Sequence, residues 1–84
     1  MHYTKDQLAE IDLLIQFNLD TIQQGIKVHS NANPDTIDAV QRLFDKGLVT
    51  QHDGGYLTDL GHTAAEHAKA LHLLLSAHET DKSN

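Results

Sequence analysis

Apolar residues recur at helical spacing in three stretches of this chain and alternate with polar ones between them, which predicts helices and short strands in one small unit. The first helix opens at Thr4, an N-cap with Gln7 at the reciprocal capping-box position and Tyr3 placed to staple onto Leu8. Leu8, Ile11 and Ile15 make its expected core face, while Leu13 and Phe17 fall nearly opposite. The apolar girth is therefore wider than one core contact requires, and the second side is expected to meet a partner. Asn18, Leu19 and Asp20 break the rhythm, and residues 21–24 form an expected short helical turn stopped by Gly25.

Ile26, Lys27, Val28 and His29 alternate apolar and polar, as an edge strand does. A polar loop follows. Asn33 as cap and Pro34 at the first helical position then start a second helix. Ile37, Val40, Leu43 and Phe44 face its expected core, with Asp35, Ala39, Arg42 and Lys46 outside. Gly47 reads as a left-handed cap that ends this helix. Residues 50–57 read as two short strands joined around Asp53, Gly54 and Gly55, where glycine supplies positive φ. Thr58 is the expected N-cap of the last helix, residues 59–77. Leu60, Ala64, Ala68, Leu71 and Leu75 share one of its faces. Ala70, Leu73 and Ala77, flanked by Leu74, share the opposite one and suit close contact with a second helix. Beyond Ala77 the apolar stripe stops, so residues 1–78 form the expected single domain and residues 79–84 a flexible tail.

At 84 residues and 39% apolar content the core must be thin, which leaves room for stabilisation by a partner. There is no cysteine, hence no disulfide framework, thiol nucleophile or thiolate metal site. The first residues lack the basic start and apolar run of a signal peptide, and no apolar segment approaches the length of a membrane span. The cytoplasm is the expected compartment. A net charge of −6, from 12 acidic against 6 basic residues, opposes the general phosphate attraction on which DNA-binding domains rely.

The order helix, strand, helix, hairpin, long helix resembles the second half of a winged-helix domain. The whole chain is also similar to a small family of bacterial proteins that share Gly25, Ile26, Lys27, Val28 and His29, then Ala39 to Leu43, Lys46 to Leu48, and the run from Asp53 to Gly61. The resemblance implies an α+β, winged-helix-like domain with three main helices, a short antiparallel β-hairpin and a third edge strand, acting in DNA binding or transcription regulation. The chain departs from that plan in two places. A helix-turn-helix joins its helices by three or four residues, whereas strand and loop here separate residues 21–24 from Pro34. The expected wing, residues 52–55, also carries no Lys or Arg, and Asp35, Asp38 and Asp45 oppose Arg42 and Lys46 on the second helix.

Two functions follow, a DNA-binding or regulatory domain as the expected one and a protein-interaction module as the alternative. In the first, Arg42 and Lys46, one turn apart, meet DNA together with Lys27 and with Asn33 and Thr36 at the helix start. Each has a plainer account: Arg42 can pair with Asp38, and Lys46 suits a helix C-terminus. In the second, the chain is a protein-interaction or homodimerisation module that does not touch nucleic acid, using Leu13, Phe17, Ala70, Leu73, Leu74 and Ala77. The basic-poor wing favours the second. Seven histidines raise a metal site, but no two stand three or four apart on a helix, so no metal or cofactor is expected. No serine lies in a nucleophile motif, and the paired carboxylates lie on a helix surface, so the chain is not expected to be an enzyme.

Overall fold

The computed structural model describes residues 2–17, 19 and 25–82. Local chemistry sets its boundaries. At the first helix, α1 (Lys5–Gln16), Thr4 Oγ1 accepts from the Gln7 N–H at 3.0 Å and Gln7 Oε1 accepts from the Thr4 N–H at 3.0 Å, completing the capping box. At the second, α2 (Pro34–Asp45), Asn33 Oδ1 accepts from the Asp35 N–H at 2.8 Å. Gly47, at φ +77°, ends α2 in a Schellman turn in which the Leu48 N–H donates to the Leu43 carbonyl at 2.9 Å. The helical turn expected over residues 21–24 lies outside the described residues.

Three short strands form one antiparallel sheet: β1 (Ile26–Lys27), β2 (Val49–Gln51) and β3 (Gly54–Leu57), in the order β1-β3-β2. Ile26 pairs with Gly55 and Lys27 with Gly54, and the ladder between β2 and β3 shifts register between Val49 and Gln51. The expected edge strand is present, although it is only two residues long. The last helix, α3 (Asp59–Lys82), starts at Thr58, whose Oγ1 accepts from the Gly61 N–H at 3.0 Å and donates to the Gly47 carbonyl at 2.6 Å. One hydroxyl thus caps α3 and ties it to the end of α2. The helix runs on past the expected end at Ala77.

These elements make a small α+β unit in which α1 packs on both α2 and α3, while α2 also covers the sheet. The core consists of Leu13, Leu14, Phe17, Ala39, Val40, Leu43, Val49 and Ala65. Two expected faces are therefore corrected. On α1 the buried side is Leu13, Leu14 and Phe17, whereas Leu8 is 51% exposed. Apolar residues nearly encircle that helix, so periodicity alone could not choose between its faces. On α2, Ala39 is buried and Phe44 is exposed, the reverse of expectation. A small residue lets neighbouring elements approach α2 closely, and its larger neighbour is left at the edge.

Candidate functional site

The residues singled out for nucleic acid do not form one open surface. Arg42 and Lys46 lie on the side of α2 that faces α1, where Glu10 is buried with its side chain only 8% exposed. Arg42 Nε donates to Glu10 Oε2 at 2.9 Å, and Lys46 Nζ donates to Glu10 Oε1. Arg42 Nη2 also donates to the Asp6 carbonyl at 3.2 Å and stands 3.8 Å from the Asp6 carboxylate. Burial by itself would raise the Glu10 carboxyl above its ordinary range. The hydrogen bonds from Lys46 and Arg42, and their charges, outweigh it and hold the group below that range. The same contact with Glu10 raises the Arg42 guanidinium. The cluster is a clamp between α1 and α2, in which both cations share the Glu10 carboxylate and Arg42 also reaches Asp6.

The other three residues are dispersed. Asn33 uses its side-chain oxygen to cap α2. Asn33 and Thr36 border a groove shared with Lys5, Leu8 and Asp12 of α1. Lys27 is exposed on β1, beside a separate cleft. The acids Asp35, Asp38 and Asp45 are exposed on α2.

The residues singled out for self-association divide differently. Leu13 and Phe17 are buried inside the monomer and cannot meet a partner, which corrects their assignment to an outer seam. Their place in the core follows from the α1 face that Glu10 and Leu14 share. Ala70, Leu73, Leu74 and Ala77 are all exposed. Leu73 and Leu74 keep 68% and 71% of their surface in water.

The model of DUF5669, a family of unknown function, matches residues 1–76. The chain belongs to that family. No curated protein and no solved structure matches it. The match runs from α1 into the leucine-rich part of α3, so both the clamp and most of the open helix surface lie within the DUF5669 unit.

Sequence reasoning missed two parts of this DUF5669 chain. Leu71 and Leu75, on the α3 face shared with Ala64 and Ala68, are 47% and 62% exposed and extend the surface around Leu73 and Leu74. The signal was available: the rest of the chain offers too few apolar residues to cover every face of so long a helix. Glu10 was not singled out at all. A lone acid on an otherwise apolar helix side was the hint, because a buried carboxylate requires cations nearby. Elsewhere, His62 Nδ1 lies 3.5 Å from the Glu66 carboxylate on successive turns of α3. Among the described residues no three His, Asp or Glu side chains converge as a metal site does. None of the described helices is long and apolar enough to cross a membrane.

Proposed function

We propose that this DUF5669 chain is a protein-interaction module that pairs with a second copy of itself through the outer half of α3. The observation that carries this is the exposure of Leu71, Leu73, Leu74 and Leu75 within five consecutive residues. Isolated exposed leucines are ordinary, but a contiguous apolar patch on a small domain marks a contact surface. Residues 70–77 contain no Asp, Glu, Lys or Arg in a chain of net charge −6. Two acidic copies can therefore meet there without like charges facing each other. Such a pair is isologous, with the same strip used by both copies. Ala70 and Ala77 stand on either side of Leu73 and Leu74 and permit close approach of two helices.

Nucleic-acid binding is the weaker reading, because it needs Arg42 and Lys46 to leave Glu10 before they can reach phosphate. Self-association is tested by sedimentation equilibrium across a wide range of protein concentration. The mass is expected to climb from the 9.3 kDa monomer toward twice that value, and Leu74→Glu is expected to stay monomeric. A wild-type mass fixed at the monomer up to millimolar concentration would overturn the proposal.

A further inference from the structure

A cleft of about 390 Å3 opens where β1, the turn between β2 and β3, and α2 meet. Its volume falls in the range of small-molecule sites, and its lining mixes apolar, polar and charged side chains. Val28 and Ile37, half-buried, supply hydrocarbon, with the buried Val40 behind them. Lys27, His29, Ser30, Gln41 and His52 bring hydrogen-bond donors, and Asp53 brings the one carboxylate of the lining.

Backbone hydrogen bonds fix the walls. The Val28 N–H donates to the Asp53 carbonyl at 2.8 Å, which ties the segment after β1 to the β2–β3 turn. The Ala32 N–H donates to the His29 carbonyl at 3.0 Å, which folds the next loop back on itself. Gly54, at φ +125°, lets the turn press against β1 where a Cβ would come within 2.4 Å of the Ile26 carbonyl oxygen. A cleft built this way is shaped before any ligand arrives, which lowers the ordering cost of binding.

The charges select the ligand class. Lys27 makes no ion pair among the described residues, and its ammonium and the Asp53 carboxylate cancel in the net charge of the lining. A simple anion would meet Asp53 and the field of an acidic protein, and a simple cation would meet Lys27. A ligand bearing both charges next to an apolar body satisfies all three kinds of wall. We propose that the cleft between β1, the β2–β3 turn and α2 binds a small aliphatic zwitterion of the free α-amino-acid type. Its carboxylate is received by Lys27 with His29, its ammonium by Asp53, and its hydrocarbon by Val28 and Ile37.

The test is a titration of the full chain, labelled with nitrogen-15, followed by amide chemical shifts. The probes are L-leucine, 4-methylpentanoate, which lacks the ammonium, and 3-methylbutylamine, which lacks the carboxylate. L-Leucine is expected to move amides in residues 27–30, 37–41 and 52–53 and to saturate in the millimolar range. The acid and the amine are expected to bind at least about fivefold more weakly, since each leaves one charged wall unpaired. Lys27→Ala and Asp53→Asn are each expected to weaken L-leucine about tenfold. Lys69→Ala, outside the cleft, is expected to leave its affinity unchanged. Both cleft variants retain the backbone hydrogen bond at Asp53, and a spectrum unchanged away from the cleft shows that they fold. No saturation by L-leucine into the tens of millimolar would overturn the proposal, as would equal binding of the acid or the amine, or shifts confined to other residues.

Discussion

Glu10 decides what the two cations of α2 can do. Its carboxylate is desolvated by α1 and α2, and that cost is met only because Arg42 and Lys46 both donate to it. The group is held below the ordinary carboxyl value of 4.5, so folding favours its ionised form. A carboxyl depressed in the folded state contributes stability that is present above its unfolded value and is lost as pH falls through its folded value. Stability measured by urea unfolding is therefore expected to hold steady from neutral pH to about 5 and to decline below 4.5. Glu10→Gln is expected to cost about 1–3 kcal/mol at pH 7, because a neutral amide removes the carboxylate that Lys46 and Arg42 share and leaves Arg42 only the more distant Asp6. Part of the acid limb should also disappear in that variant. An unchanged acid limb would show that other carboxylates govern it. The sequence pattern offers only a hint of this residue, an acid on an apolar helix side, because its role depends on two side chains more than thirty positions away.

The elements divide into features set locally and features set by their neighbours. The capping box at Thr4, the Asn33 cap with Pro34, the Gly47 turn and the Thr58 cap were all legible, because each depends on residues within one turn of chain. The inward faces of α1 and the outer part of α3 were not legible, since both helices carry apolar residues nearly all round and only the packed neighbours select a side. The α2–α3 junction shows the same split between two glycines. At Gly47 an added Cβ would meet nothing within 4 Å, so only its left-handed φ matters. At Gly61 an added Cβ would lie 1.8 Å from the Leu48 carbonyl oxygen, which itself accepts from the Thr58 N–H. Gly47→Ala is expected to cost about 1 kcal/mol, the ordinary penalty for leaving glycine at a helix end. Gly61→Ala is expected to cost several times more, because α3 must move away from the end of α2 to admit the methyl. Thermal unfolding of the two variants side by side checks this, and equal losses would mean that the junction yields easily.

The whole molecule is 40 Å along its longest axis and 27 Å across. A helix of 24 residues is about 36 Å long, close to that longest dimension. The inner part of α3 is covered where Gly61, Ala64, Ala65 and Ala68 meet the core, and the leucines that follow are not. The candidate seam at Ala70, Leu73, Leu74 and Ala77 could be named from the sequence, but its openness could not, because exposure depends on where the other helices end. Salt separates the two functional readings. Phosphate contacts weaken steeply as salt rises. Pairing of two −6 chains through an uncharged strip should strengthen, since screening removes the residual repulsion between copies while the apolar contact remains. A partner that binds only the folded state also raises apparent stability in proportion to its concentration. The melting temperature of the wild type is therefore expected to rise with protein concentration, and more so at higher salt. Leu74→Glu should remove that dependence while leaving the melting temperature at low concentration nearly unchanged, because Leu74 contributes little to the monomer core. A melting temperature independent of concentration for both proteins would overturn pairing between copies of this chain.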